Sequence, residues 1–256
     1  MELFKYMPYR PEFFTTLLLR FTPASEFNDP FEGQPKMSSL EKADHIAKIL
    51  INGNWEPVPN DLYMQNIAEQ REIQTDAGLG ILSLTRSKHS LLMWAHYANK
   101  HEGIIIGFDT EDPFFNQNIS PKRNPPEDTS YLGKVFPVFY DRIKLDFEFG
   151  PIEKSLLHKS DEWIYEKEYR MFMRREDCNE FGTDADGNKM ENVNLFKVPA
   201  CAITRIIMGK RANKEAIKLD FKNASKDNPR LSHIKIETAE LHGELYHIEH
   251  IPVNLL

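Results

Sequence analysis

From Trp163 to Phe172 the chain reads Trp-Ile-Tyr-Glu-Lys-Glu-Tyr-Arg-Met-Phe, setting two carboxylates among aromatic residues with an arginine close behind. Taken with the two-residue period of a strand, Ile164, Glu166, Glu168 and Arg170 share one face, and Trp163, Tyr165, Lys167, Tyr169 and Met171 share the other. Like charges two residues apart cost energy unless solvent reaches them or a cation neutralises them, and Arg170 is the nearest cation. A strand held still by its aromatic side and carrying Glu-x-Glu into a cleft suits acid, base or ribose-binding chemistry. The competing readings are an exposed amphipathic strand without chemistry, or a helix with Trp163, Glu166 and Arg170 on one stripe.

The flanking sequence supplies partners for such a strand. Leu3 to Met7 reads as a first strand, stopped by Pro8 and Pro11, and a short helical pattern from Glu12 to Leu18 precedes a second strand at Leu19 to Thr22. The stretch from Ala24 to Glu32 mixes turn formers with two phenylalanines. Asn28 and Asp29 can bond the backbone ahead of them, so a turn pinned by Phe27 and Phe31 is expected, with Asn28, Asp29 and Glu32 as its polar candidates. Residues 38 to 76 carry a polar helical pattern, read as two helices joined by a loop from Gly53 to Asn60. Gly78 to Thr85 enters a strand whose Ser83 and Thr85 share a face, where hydroxyls can orient a ribose or an amide.

Ser87 to Ser90 can start a helix running through Ala98, with Trp94 and Tyr97 on one stripe that core packing would explain. Ile104 to Phe108 has the unbroken β-branched character of a buried strand. The proline-bearing segment from Thr110 to Ser130 reads as a surface loop. Lys134 to Tyr140 reads as a strand that Pro137 places at an edge or bulge. A helix is expected from Ile152 to Asp161, a hairpin tip at Asp184 to Asn188, and a strand at Val198 to Met208. A helix over Asn213 to Phe221 and strands at His233 to Thr238 and Leu245 to Ile251 complete the reading. The elements describe an α+β fold of one domain over 1–256, with a helical insert at about 38–76. Its sheet is mixed, strongly bent or split, and flanked by helices.

At 256 residues and 41% hydrophobic composition the chain can bury a proper core. Its net charge of -7 lacks the electrostatic footprint of a general nucleic-acid binder and argues against duplex binding. Cys178 and Cys201 are too few for a disulfide scaffold and point to a reducing compartment, and no secretory signal or membrane-length apolar run is present, so a cytoplasmic location is expected. The histidines lack metal-ligand spacing, and no Walker loop, Gly-x-Gly-x-x-Gly or Gly-x-Ser-x-Gly occurs. No metal is expected.

Four blocks recur in the order of one known family: Phe4-Lys5-Tyr6; Ser25 to Glu32; Met93 to Ala98 with Gly103 and Phe108-Asp109; and Tyr165 to Arg170. Together they resemble the bacterial family catalogued only as domain of unknown function 2971, to which no established activity belongs. The order of elements is also similar to that of ADP-ribosyltransferases, whose split β core joins an early ribose-holding strand, a hydroxyl-bearing strand leading into a helix, and a late strand presenting a catalytic glutamate. That resemblance implies NAD as substrate, Glu168 as the catalytic glutamate and Glu166 as its Glu-x-Glu partner. Tyr6, Ser83 and Thr85 would line the ribose and amide site, Tyr97 would stack on nicotinamide, and Arg170 would hold a pyrophosphate or the Glu166 carboxylate. The strand lacks His-Gly-Thr or Arg-Gly, and Ser83-Leu84-Thr85 only approximates the Ser-Thr-Ser triplet. Two other classes stay open: a metal-dependent nuclease using Asp29, Glu32, Glu166 and Glu168, and a non-catalytic module recognising a nucleotide or a protein segment.

Overall fold

The computed structural model describes residues 1–34, 36, 48–51, 54–57, 78–117, 119, 131–146 and 152–254. Strands are β1 (Glu2–Met7), β2 (Leu18–Phe21), β3 (Lys48–Ile51), β4 (Asn54–Pro57), β5 (Leu79–Thr85), β6 (Ile104–Asp109), β7 (Val135–Pro137) and β8 (Phe139–Asp141). They continue as β9 (His158–Ser160), β10 (Glu168–Arg174), β11 (Glu180–Thr183), β12 (Lys189–Lys197), β13 (Ile203–Met208), β14 (Lys235–Leu241) and β15 (Ile248–Pro252). The α-helices are α1 (Phe13–Thr16), α2 (Leu91–Tyr97), α3 (Ile152–Ser155) and α4 (Lys214–Asp227). The fold is α+β with mixed sheets, and no helix among the described residues is long and apolar enough to cross a membrane.

The main sheet runs β15-β14-β13-β6-β1-β5-β10-β7, antiparallel except between β13 and β14. β6 sits near its middle with Ile104, Ile105 and Ile106 all fully buried, as an unbroken β-branched run demands. One face carries Leu3, Leu82, Leu84 and Met171 against α1 and α4, whose Ile217, Phe221 and Ala224 recur at helical spacing. The other carries Phe4, Tyr6, Ile105 and Ile207 against Trp94 of α2. Ser90 caps α2 by accepting from the Met93 N–H, and Asn213 caps α4 by accepting from that of Ala216.

One joint in this sheet is short. β1 runs beside β6 from Glu2↔Asp109 to Met7↔Ile104, and β5 runs beside β10 from Thr85↔Glu168 to Leu79↔Arg174. β1 and β5 themselves meet at a single ladder position, Phe4↔Thr85. Further along, β5 bonds Thr22 instead, through paired Thr22–Ile81 backbone bonds of 2.9 Å. The two halves of the sheet therefore part beyond Thr85, around the residues Lys5, Tyr6, Ser83 and Leu84.

Three expectations are corrected. Residues 48–51 and 54–57, read as helix and loop, pair as antiparallel strands, and the remainder of the expected helical insert lies outside the described residues. Ile49, Ile51 and Trp55 favour a pleated surface over a helix. The helix expected up to Asp161 ends at Ser155, where β9 follows within three residues. The expected strand from Lys134 to Tyr140 is broken at Val138 into β7 and β8, and β7, holding Pro137, is an edge of the main sheet.

After α2, Asn99, Lys100 and His101 take left-handed φ angles of 45°, 52° and 74°, turning the chain back into β6. Gly103 closes that turn: its N–H donates to Ala98 O at 2.8 Å, and a Cβ there would lie 2.2 Å from Met7 O. Gly103→Ala is expected to lower unfolding free energy by about 1–3 kcal/mol, as overpacking does. Urea titration measures it, and unchanged stability would show that the entry to β6 relaxes freely.

Candidate functional site

Where the halves of the sheet part, the structure opens a cavity of ≈ 370 Å³. β10 brings Glu168 and Arg170 to it, in register with Thr85 and Ser83 of β5. Glu166 arrives differently from the strand reading. Asp161–Glu166 is a 3-10 turn, ended by Lys167 at φ 46°, so Glu166 precedes the strand and does not alternate along it. In a turn of three residues Trp163 and Glu166 eclipse, and both meet the β9 residue Lys159. Thr85 fixes this corner by donating its hydroxyl to the Glu166 carbonyl at 2.5 Å. The Glu168 N–H is held by the Tyr140 hydroxyl at 2.8 Å.

Arg170 is the hub. It is 1% exposed, and its fork reaches Glu168 through Nε–Oε1 and Nη2–Oε2, both 2.9 Å. A second pair of bonds, of 2.5 and 2.8 Å, reaches Glu32, the Leu156 carbonyl accepts from Nη1, and the guanidinium lies 4.8 Å over the Phe27 ring. Lys159 stands beside it with Nζ at 2.7 Å from Glu166, 3.3 Å from Glu32 and 3.5 Å from Glu168. Three carboxylates thus surround two cations, an excess of one negative charge when all are ionised.

The glutamates are pushed apart in proton affinity. Burial raises both, but at Glu168 the Arg170 and Lys159 charges overcome it, aided by hydrogen bonds from Arg170 and Ser83, and hold the carboxyl at about 2. At Glu166 burial wins, Lys159 opposes it and the Glu168 charge reinforces it, so the carboxyl stays above its ordinary range. Tyr97, pushed up by burial and by the adjacent Glu166, keeps its proton and donates it to Glu166 Oε1 at 2.5 Å, while Asn28 Nδ2 donates to the Tyr97 hydroxyl at 3.3 Å. One carboxylate is locked as an anion and its neighbour holds a proton more readily, an arrangement that divides electrostatic from proton-transfer duty.

The cavity walls include nine of the ten residues singled out from the sequence: Tyr6, Asn28, Glu32, Ser83, Thr85, Tyr97, Glu166, Glu168 and Arg170. Asp29 is outside it. Its Oδ1 accepts from the Phe31 N–H at 2.9 Å in a local turn that carries Glu32 to Arg170, and Phe31, expected to pin that turn, is exposed. Tyr6 is buried edge-on against Trp94, with ring centres 5.2 Å apart. Arg170, expected to hold a pyrophosphate or Glu166, instead spends its donors on Glu168, Glu32 and Leu156 because a buried guanidinium must be fully bonded. Of the four acids of the nuclease reading, Glu32, Glu166 and Glu168 come together but Asp29 does not, and they gather around the cations Lys159 and Arg170. Among the described residues no group of three His, Cys, Asp or Glu forms a metal site. Sequence reasoning missed Lys5, Thr22, Glu26, His96 and Lys159, all of which line the cavity.

Breaking a buried ion pair from one side leaves uncompensated charge and costs about 3–5 kcal/mol. Arg170→Met is expected to cost that much in chemical denaturation, and a loss under 1 kcal/mol would show that the cluster is solvated. Glu168 also ties stability to pH. The unfolded carboxyl binds its proton near the ordinary value and the folded one only near about 2, so stability from this group falls as pH drops through that window. The stability gap between the protein and its Glu168→Gln variant should accordingly shrink below the ordinary carboxylate value, and a gap independent of pH down to about 2 would contradict it. No curated protein and no solved structure shows a match to the chain. Residues 93–171, from α2 through Lys159, Glu166, Glu168 and Arg170, match the family model described as "Protein of unknown function (DUF2971)", and over that segment the chain is similar to that family.

Proposed function

We propose that the cavity is the active site of an enzyme of ADP-ribosyltransferase type, which binds NAD and transfers its ADP-ribosyl group to a macromolecule or to water. The observation that carries this reading is the pair Glu166 and Glu168, of opposed proton affinity, in a cavity where β1 and β5 part after one ladder step. Loss of nicotinamide develops positive charge on the ribose, and an ionised carboxylate fixed in a low-dielectric hollow stabilises that state more than it stabilises the substrate. Glu168, ionised and immobilised by Arg170, supplies the fixed charge. Glu166, with its raised proton affinity, is the base that takes the acceptor's proton, and Tyr97 orients it. The walls favour a flat ring beside a polar sugar: Phe4, Phe27 and Tyr97 give aromatic surface, and Asn28 and Ser83 give amide and hydroxyl contacts.

Titration of the protein with NAD in a calorimeter, followed by assay of released nicotinamide, tests the reading. Saturable heat and release are expected, and Glu166→Gln should slow transfer by about 10²–10⁴-fold while retaining the dinucleotide heat. Heat without release would favour a recognition module, and neither heat nor release would sink the assignment.

A further inference from the structure

Lys5 stands apart from the other cations of the site. Arg170 and Lys159 are saturated by carboxylates, whereas the Lys5 amine has no hydrogen-bond or ion-pair partner among the described residues. It lies on β1 immediately after Phe4, the last residue of that strand paired with β5, so it stands at the mouth of the split. Its backbone pairs with Ile106 on the other side, fixing the strand that carries it. A flexible ammonium in such a wall would ordinarily seek one of the glutamates that line the same cavity.

The protonation of Lys5 fits that position. Burial pulls its amine down to about 8, Arg20 adds to the pull, and Glu168 and Glu166 oppose it without prevailing. Roughly a tenth of the side chain is therefore a neutral amine at neutral pH, far more than for an ordinary lysine, and that is the nucleophilic form.

Resting on the ADP-ribosyltransferase reading, we propose that Lys5 is the nucleophile of the cavity and takes the anomeric carbon of the ribose onto its side-chain nitrogen. The bond from that carbon to the nicotinamide ring nitrogen breaks, and its electron pair returns to the ring, which leaves neutral. The Lys5 lone pair forms the new carbon–nitrogen bond, and the proton that the nitrogen then sheds passes to the Glu166 carboxylate. The product is an N-glycosyl lysine in equilibrium with its open-chain imine, from which water or an acceptor amine can release the sugar. The acceptor of the first step thus belongs to the chain itself.

The experiment incubates the full chain with NAD and cyanoborohydride, assays nicotinamide, and maps the peptide bearing Lys5 by mass. An ADP-ribosyl adduct on Lys5 is expected, together with loss of the adduct and a roughly hundredfold slower release in Lys5→Arg. In parallel, acylation of the unliganded protein at a series of pH values should label Lys5 with a midpoint of about 8, below that of exposed lysines. Circular dichroism establishes that the variant is folded, and Lys5→Met repeats the measurement if the arginine does not fit. Release at an undiminished rate from a folded Lys5→Arg protein, with no adduct in the parent, overturns the nucleophile and leaves the transferase reading standing. Absence of release from the parent overturns both, and labelling of Lys5 only at the midpoint of surface lysines overturns the nucleophile.

Discussion

The double fork of Arg170 is what the site is built around. A guanidinium 1% exposed is tolerable only when its donors are met, and Glu168 and Glu32 meet it bidentately along two adjacent edges that share Nη2. One of these carboxylates lies two residues away on the same strand and the other 138 residues away on a turn, so satisfying one side chain joins β10 to the amino-terminal third of the chain. The Asp29 turn is then a structural device, since its bond to the Phe31 N–H presents Glu32 at the required place.

Around that fork the elements are arranged to keep two neighbouring glutamates different. Glu168 opens a strand and is gripped at both oxygens by Arg170, while Glu166 ends a 3-10 turn and shares Lys159 with two other acids. A single left-handed residue, Lys167, separates them and changes the backbone geometry between one side chain and the next. Had both stood on one strand, as the two-residue period suggests, they would have faced the same environment. The break in regular structure is therefore what lets one acid hold its charge firmly while the proton affinity of the other is raised.

Much of the scaffold was legible in local pattern. β6 announces itself by its β-branched run, α2 by Ser90 and the Trp94 stripe, α4 by Asn213 and apolar residues at helical spacing, and the edge position of β7 by Pro137. Most candidate residues named from the sequence line the cavity, but its two lysines were not among them. Lys159 was hidden because the segment around it reads as helix, while its strand pairing with Tyr140 depends on contacts that no local period records. The partnership of Glu32 with Arg170 was equally invisible, since a single sequence carries no signal of which distant charges will meet. Residues 48–51 misled because Ile49 and Leu50 fit a helical stripe, whereas that β-branched and apolar run pairs with residues 54–57 as a strand.

The solitary rung Phe4↔Thr85 gives the large sheet the mechanics of two plates riveted at one corner. Glu168, Arg170, Ser83 and Thr85 ride on one plate, and Lys5 rides on the other. Amine and acids thus reach the same hollow from strands that share a single rung, so the spacing between them is set by that one joint.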